Sequence, residues 1–355
     1  MAYETGGPRP ATTAGVRFAR GRRRLVDRMA MIESSSDDRV PLRRFAETYV
    51  ALRANVEEAV RGKRPVVDLA LLCMIADGHL LIEDVPGVGK TLLAKSIAAS
   101  IDGTWKRVQF TPDLLPTDVV GVSIFERATN QFRFRPGAVF ANLVLCDEIN
   151  RASPKTQSAL LEAMEERQVT IDGTTHPLPR PCMVIATQNP VEHEGTFPLP
   201  ESQLDRFLIR TSLGYPDRAA EIAILETHGN DRAVAALTPV ASTADIATMV
   251  AIAGRIHVAS SLRGYLVDIA TASRNHPDIR LGASPRATLG LLRSARARAA
   301  ASGREYVVPD DIQSLAPFVL AHRLLLHQDA LRRGVKQSDV VAEIVSSVAV
   351  PVRRA

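Results

Sequence analysis

One stretch, residues 80–91, constrains the fold of this chain more than any other. It reads Leu-Leu-Ile-Glu-Asp-Val-Pro-Gly-Val-Gly-Lys-Thr. The apolar start is typical of a buried strand, the two glycines predict a turn, and residues 92–98 have the composition of a helix. A strand that continues through a glycine-containing loop into a helix is the context of a phosphate-binding loop. The stretch therefore predicts such a loop at the end of a strand.

The residue types in this loop suit the binding of a nucleotide. Gly87 and Gly89 let backbone N–H groups approach an anion, and the following helix adds the positive charge of its N-terminus. Lys90 would reach the β and γ phosphates, and the Thr91 hydroxyl would join the ligands of a magnesium ion. Asp84 stands where the generic motif has its first glycine. Taken alone, the loop leaves open an ordinary strand–turn–helix with a surface lysine.

The net charge of the chain is located in its first residues. The 355 residues carry a formal net charge of +5, and residues 1–44 hold ten arginines and five acidic residues. The rest of the chain is therefore balanced, which argues against tracking of nucleic acid, since that needs clustered Lys and Arg. We expect residues 1–40 to be a basic, mostly disordered tail. A targeting peptide, a nucleic-acid arm and an unused start codon are the alternatives for this tail.

The cysteines and the hydropathy bear on the compartment. Cys73, Cys146 and Cys182 lie in apolar contexts at wide spacing. Free buried thiols in a reducing cytosol explain them better than disulfides or a metal site. The most apolar helix, predicted over residues 66–76, is too short and too close to charged residues to cross a bilayer. We therefore expect a soluble, cytoplasmic protein.

Strands and helices alternate up to about residue 214. Apolar residues recur at helical spacing from residue 41, and two runs, 119–135 and 169–178, are typical of hairpins. Strands are predicted over residues 80–82, 105–110, 119–125, 131–135, 143–146, 169–171, 174–178, 183–186 and 207–209. This alternation predicts an α/β fold, a three-layer αβα domain with a parallel sheet.

The pattern changes beyond residue 215, where no strand is expected. Helices are predicted there over residues 217–228, 242–257, 259–274, 285–301 and 309–324. A smaller, all-helical domain therefore follows the α/β domain. The predicted division of the chain is a tail (1–40), the α/β domain (41–214) and the helical domain (215–355).

Two acids follow the apolar run at residues 143–146. Asp147, at the tip of a strand beside a phosphate loop, can hold magnesium, and Glu148 can orient and polarise an attacking water. Acids at strand ends are common, so the pair is informative mainly through its position. Asp147 lies 57 residues after Lys90, across one intervening strand region.

An amide and an arginine follow in the same domain. Asn189, after the strand predicted at 183–186, could hold the same water or sense the γ phosphate; a turn asparagine before proline is the alternative. Arg206 precedes an apolar strand, and in a ring of subunits its guanidinium could reach a neighbour's γ phosphate. The alternative for Arg206 is an ion pair with Asp205 or Glu201.

A second arginine opens a helix of the second domain. Ser284 is expected to cap this helix, Pro285 to take its first turn and Arg286 to lie at its positive end. Arg286 could sense phosphate from the second domain, or it could be an ordinary solvated arginine.

In this order, the motifs resemble those of AAA+ ATPases: residues 84–91, 143–148, 185–189, 204–206 and 284–286. Three further stretches resemble the MoxR family within that group. They are residues 107–116, residues 147–152 (Asp-Glu-Ile-Asn-Arg-Ala) and residues 194–201 (Glu-Gly-Thr-Phe-Pro-Leu-Pro-Glu). The resemblance covers about residues 42–340 and leaves out the tail.

The resemblance implies a set of site residues for Mg·ATP. The nucleotide-binding residues would be Asp84, Val85, Pro86, Gly87, Val88, Gly89, Lys90, Thr91, Leu92 and Asp147, with Gly62 near the adenine. Thr91 and Asp147 would hold Mg²⁺. The implied catalytic residues are Glu148 for water activation, Asn189 as sensor 1, Arg206 as a finger acting in trans, and Arg286 as sensor 2, in cis or in trans.

The resemblance also implies partners and a role. Members of the family are expected to form a homo-oligomeric ring, a hexamer, and to work with proteins that carry a von Willebrand factor A domain. The two predicted hairpins could face the pore of the ring and touch a substrate. The implied function is ATP hydrolysis coupled to chaperone-like remodelling, maturation or metal-cofactor insertion of a client complex. A chelatase-type motor subunit, a nucleotide-switched interaction module and a nucleic-acid motor are the alternatives.

Overall fold

The computed structural model describes residues 39–85, 87–189, 195–216, 218–219, 221–222 and 234–351. The predicted tail up to residue 38, Pro86, Glu194 and most of the helix predicted over 217–228 lie outside the described residues.

The strands, numbered along the described chain, are β1 (Leu80–Glu83), β2 (Trp105–Gln109), β3 (Gly121–Glu126), β4 (Gln131–Pro136), β5 (Leu143–Asp147), β6 (Gln168–Ile171), β7 (Thr174–Pro177), β8 (Met183–Gln188), β9 (Ile209–Thr211), β10 (Ile279–Leu281) and β11 (Leu325–Leu326). The helices are α1 (Arg39–Ala59), α2 (Arg64–Ile75), α3 (Lys90–Ser100), α4 (Pro116–Val120), α5 (Pro154–Glu166), α6 (Glu201–Leu204), α7 (Thr243–Arg255), α8 (Ser260–Asn275), α9 (Pro285–Ala301), α10 (Pro309–Leu320), α11 (Gln328–Arg332) and α12 (Gln337–Ser347). Short 3₁₀ helices lie at Ile149–Arg151 and Ala321–Arg323.

A five-stranded parallel sheet in the order β2-β5-β8-β1-β9 forms the centre of the α/β part. Leu80 of β1 lies opposite Ile185 on one side and Ile209 on the other. Every residue of β5 is buried, as expected for a strand covered on both faces. The prediction of a parallel sheet is confirmed.

Two hydrophobic cores cover the two faces of this sheet. Because successive side chains of a strand point to opposite faces, Leu80 and Ile82 belong to one core and Leu81 to the other. The first core includes apolar residues of α1, α2 and α3, and the second includes those of α5. The predicted three layers are confirmed.

The part that follows the sheet is helical, as predicted, and shares the first core. Ile246 of α7, Tyr265 of α8 and Leu291 of α9 are buried in it. The expectation of no strand in this part is wrong at one place, since β10 and β11 pair antiparallel, with Ile279 opposite Leu326. Runs of three and two residues are too short to show an alternating pattern, and their pairing depends on how the intervening helices fold.

Some predicted boundaries shift. The strand expected to begin at residue 119 begins at Gly121, because Pro116–Val120 form a short helix whose start is held by the Asp118 carboxylate, which accepts the Leu115 N–H at 3.0 Å. The strand expected over 207–209 is β9, two residues later, and the helix expected over 309–324 ends at Leu320. No helix within the described residues has both the length and the apolar character that crossing a bilayer would require.

Candidate functional site

A cavity of about 440 Å³ opens where β1, β2 and β5 end, beside the start of α3. The carboxyl ends of parallel strands share one edge of the sheet, so loops that follow different strands meet there. The cavity is lined by Gly87, Gly89, Lys90, Thr91, Leu92, Lys95, Arg107, Gln109, Asp147 and Glu148. The structure therefore brings the predicted phosphate loop and the predicted acidic pair together.

The loop has the backbone that an anion site needs. Gly87 and Gly89 take positive φ angles of 85° and 101°, a conformation that other residues adopt only with strain. A side chain at Gly87 would meet no atom within 4 Å, so the glycine is required by the backbone rather than by packing. Lys90 begins α3 and is buried, and its Nζ donates to the Asp84 carbonyl oxygen at 3.1 Å.

The structure explains why an aspartate stands at the start of the loop. The buried Asp84 carboxylate accepts the N–H of Val85 at 3.0 Å through Oδ1. Through Oδ2 it accepts the N–H groups of Leu213 and Gly214, both at 2.6 Å. Asp84 thus holds a distant segment of backbone against the loop, which a glycine could not do.

Thr187 joins the two acids of the cavity. Its buried hydroxyl donates to Asp147 Oδ1 at 2.6 Å and accepts the backbone N–H of Glu148 at 2.9 Å. Glu148 has a φ of 57°, a left-handed conformation that costs a non-glycine residue about 1–3 kcal/mol. Sequence reasoning missed Thr187, although a polar residue at the end of the apolar run 183–186 was a signal.

Two residues of β2 complete the cavity; both lie in the family-like stretch 107–116, but the sequence assigned neither a role in the site. Arg107 Nη2 donates to Asp147 Oδ2 at 2.7 Å, and Gln109 Nε2 donates to Glu148 Oε2 at 2.8 Å. Residues two apart on a strand share a face, so their polar character was a signal in the sequence. Arg151 also donates to Glu148 Oε2, at 3.0 Å. Both carboxylate oxygens of Asp147 and the Oε2 atom of Glu148 therefore accept hydrogen bonds.

Asn189 and Gly62 lie outside the set of residues that line the cavity. Asn189 is buried and directly follows β8. Gly62 lies between α1 and α2 with a φ of 71°. Its neighbour Lys63 donates through Nζ to three successive carbonyl oxygens, those of residues 213, 214 and 215, at 2.7, 3.0 and 2.6 Å.

Arg206 and Arg286 contact the same acid, Glu165, and lie outside the cavity. Arg206 Nε lies 3.1 Å from Glu165 Oε2, and Arg286 Nη2 donates to Glu165 Oε1. Neither arginine lines the cavity around Lys90. The alternative was an ion pair of Arg206 with Asp205 or Glu201. Among the ion pairs of the described residues, Arg206 instead pairs with Glu165.

A second, smaller pocket of about 210 Å³ surrounds these two arginines and carries excess positive charge. Burial lowers the pKa of one lining arginine, Arg323, to about 10, and the nearby Asp205 carboxylate opposes that shift. The charged residues that line the pocket are Arg167, Arg206, Arg286, Arg293, Arg323, Asp77, Glu165 and Asp205. Guanidinium groups gathered in this way suit an anion such as a phosphate.

The donor set of the cavity fits a magnesium nucleotide. The Thr91 hydroxyl and the Asp147 carboxylate are hard oxygen ligands, of the kind that Mg²⁺ takes together with phosphate oxygens. Lys90 and the glycine backbone supply positive charge and N–H donors for those phosphates.

Comparisons with known proteins agree with this geometry. The family described as "ATPase family associated with various cellular activities (AAA)" matches residues 79–209, and the family described as "AAA lid domain" matches residues 271–344. "Chaperone MoxR1" of Mycobacterium tuberculosis (strain ATCC 25618 / H37Rv) is 41% identical over 322 residues, which cover 86% of this chain and 84% of that protein. The chain belongs to the MoxR family of AAA+ ATPases. "Uncharacterized protein YeaC" of Bacillus subtilis (strain 168) is 48% identical over 300 residues, 84% of this chain and 94% of that one.

A solved structure supports the same family. The crystal structure of a Cytophaga hutchinsonii (ATCC 33406) protein superimposes with a TM-score of 0.83 at 34% sequence identity, covering 91% of this chain and 99% of that chain. A MoxR-type AAA+ ATPase binds a nucleotide, which agrees with the phosphate loop, and AAA+ proteins generally form oligomeric rings.

Proposed function

We propose that this MoxR-type protein is an oligomeric, Mg²⁺-dependent ATPase that couples hydrolysis of ATP to the remodelling, maturation or metal-cofactor insertion of a client protein complex. The observation that carries the proposal is the single cavity that holds Lys90, Thr91, Asp147 and Glu148. A cavity that contains a carboxylate for water activation favours turnover over a nucleotide-switched interaction module.

In this proposal the protein groups have separate tasks. The backbone of the loop at residues 87–89 and the ammonium of Lys90 bind the β and γ phosphates. Glu148, oriented by Gln109, positions the attacking water, and Asn189 holds the same water or the γ phosphate by hydrogen bonding. Bound Mg²⁺, held by Thr91 and Asp147, would neutralise charge on the phosphates.

We take Arg206 and Arg286 to act on the nucleotide of a neighbouring subunit. The support for this is that both contact Glu165 and that neither lines the cavity of its own chain. An arginine supplied in trans stabilises the charge on the transferred phosphoryl group. Turnover then needs an assembly, as in the rings of AAA+ proteins.

Two inactive variants test the shared site. Glu148→Gln should bind ATP without turning it over, and Arg206→Ala should lose turnover by about a thousandfold, the scale of an arginine finger. Mixing the two variants should restore some ATPase activity, because each subunit supplies the group that the other lacks. ATP turnover of the mixture is measured against each variant alone, with assembly confirmed by light scattering.

Two results would contradict the proposal. Full turnover by Glu148→Gln would remove Glu148 from catalysis. Absence of rescue in confirmed mixed oligomers would argue against a site shared between subunits.

The client and the partner complete the proposal. The β3–β4 hairpin exposes Phe125 and Phe132, at 46% and 74% of their surface, and it is our candidate for contact with a client. We propose a von Willebrand factor A-domain protein as partner and the cytoplasm as location. A pull-down tests the partnership: this protein is immobilised, and a von Willebrand factor A-domain protein encoded by a neighbouring open reading frame is added with and without ATP. Equal recovery of that protein on beads that lack the immobilised protein would contradict the partnership.

A further inference from the structure

The three residues Leu213–Tyr215, which we call the linker segment, follow β9 and precede the helical part of the chain. The Asp84 carboxylate binds the backbone of this segment: Asp84 Oδ2 accepts the N–H groups of Leu213 and Gly214, both at 2.6 Å. A buried carboxylate that accepts charge-assisted hydrogen bonds fixes its donors more strongly than a neutral acceptor would. The linker segment is therefore tied to the residue at the start of the phosphate loop.

The other polar edge of the linker segment is held as well. The Lys63 ammonium donates to all three carbonyl oxygens, at 2.7, 3.0 and 2.6 Å along the segment. Lys63 lies immediately before α2, which packs in the first core. The N–H groups at 213 and 214 are thus fixed from the loop side, and the carbonyls are fixed from the side of α2.

Two further contacts connect the segment to the loop itself. The Asp84 carbonyl oxygen accepts the Lys90 ammonium at 3.1 Å, so the same residue contacts the lysine assigned to phosphate binding. A methyl group of Leu213, which is buried, lies 4.0 Å from the point where a side chain on Gly89 would begin. A movement of the loop cannot leave the linker segment in place without breaking these contacts.

We infer that Asp84 is a positioning residue that couples the phosphate loop to the linker segment, so that nucleotide binding is transmitted to the helical domain. The inference rests on the proposed nucleotide site. A glycine at position 84, which the generic loop carries, would leave phosphate binding to the backbone but would release the linker segment. Coupling of this kind needs a continuous series of contacts between the two regions. The contacts from Lys90 to Asp84 and from Asp84 to Leu213 provide it.

The experiment measures the response of the helical domain to a nucleotide. Ser158 of α5 and Ser338 of α12 are exposed, and cysteines at both positions carry a donor and an acceptor dye. The native thiols of Cys73, Cys146 and Cys182 are buried, and burial raises the pKa of each, so they react slowly with the dyes. A non-hydrolysable ATP analogue is titrated into the full chain, and affinity and energy transfer are recorded together.

In the wild type we expect the analogue to bind and to change the energy transfer. In Asp84→Gly the change in energy transfer should be lost at concentrations of the analogue that saturate binding, because the linker segment is no longer tied to the loop. Asp84→Asn, which keeps an acceptor oxygen, should retain part of the change. Glu83→Gln is the matched control: its carboxylate pairs with Arg210 at 3.3 Å and not with the linker segment, so it should behave as wild type.

Lys63→Met provides a second variant should Asp84→Gly fail to fold. It leaves the loop intact, and the energy transfer change should fall while the affinity for the analogue remains. A full change in energy transfer in Asp84→Gly or in Lys63→Met would overturn the coupling, as would a wild type that binds the analogue without any change. A wild type that does not bind the analogue would instead contradict the proposed function.

Discussion

At the scale of single residues, the site depends on polar groups that reach across the sheet. Asp84 contacts backbone 129 and 130 positions away, and Thr187 contacts Asp147 from 40 positions away. Lys90, Thr91, Asp147 and Glu148, which line one cavity, were predicted from residue type and spacing, since each belongs to a short local motif. The residues that orient them, Thr187 above all, could not be identified in this way because their partners are distant in the chain.

Replacing Thr187 with valine should reduce turnover while nucleotide binding remains. The valine fills the same space but removes a hydroxyl that orients both acids, and a lost buried hydrogen bond costs about 1–3 kcal/mol, which corresponds to about 5- to 160-fold in rate. ATPase kinetics and the equilibrium affinity for the ATP analogue check this. Thr187→Ser, which keeps the hydroxyl, is the control; equal turnover in valine and serine variants would contradict the role of the hydroxyl.

At the scale of elements, the pattern predicted the sheet strands and most helices, because the strands are short apolar runs and the helices have a helical spacing of apolar residues. The N-terminal cap of α9 was also predicted from the sequence: the Ser284 side chain accepts the N–H of Ala287 at 3.1 Å, and Pro285 lies in the first turn. The pairing of β10 with β11 was not readable, since neither strand carries a repeat long enough to recognise.

Elements are also joined by a buried histidine. His79, next to β1, accepts the Val184 N–H of β8 through Nδ1 at 2.9 Å. Its Nε2 therefore donates to the carbonyl oxygen of Met164 in α5, at 3.1 Å. Burial, and then the charge of Arg167, lowers the pKa of His79 from 6.5 to about 3, so the ring is neutral in the folded protein.

The free energy of unfolding should consequently fall as the pH drops below 6.5. Unfolded His79 binds a proton there that folded His79 does not bind, so each pH unit down to about 3 removes up to about 1.4 kcal/mol. Urea unfolding at pH 7, 6 and 5 measures this slope, which should be shallower in His79→Asn. The control is His327→Asn, which removes an exposed imidazole and should keep the wild-type slope. Identical slopes for the wild type, His79→Asn and His327→Asn would contradict the prediction.

At the scale of the whole molecule, the helical part docks on the α/β part through a buried arginine. Arg323, in the 3₁₀ helix after α10, donates to the carbonyl oxygens of Phe207 and Asp205 at 2.7 and 3.2 Å. Its Nε lies 3.1 Å from Asp205 Oδ1. Gly290 of α9 leaves room for this guanidinium, since a side chain there would begin 2.9 Å from Arg323 Nη1.

Arg323→Met should destabilise the protein by about 3–5 kcal/mol, because it leaves the Asp205 carboxylate without its buried ionic partner and removes one donor from the carbonyls of Asp205 and Phe207. Chemical denaturation measures the loss. Arg332→Ala removes an exposed arginine paired with Asp329 and should change the stability by less than about 0.5 kcal/mol. A loss in Arg323→Met no larger than in this control would show that the docking does not depend on the buried guanidinium.

The sequence alone determined the fold class and predicted the phosphate loop and the acidic pair that line one cavity, because apolar runs and short motifs encode strands, turns and local clusters of polar residues. Only the tertiary structure decided that Arg206 and Arg286 share Glu165, that Thr187 orients both acids, and that Asp84 holds the linker segment. The physical reason is that these contacts join residues far apart in the chain. Such pairs exist only once the parallel sheet has set its strand order and the helices have packed against it.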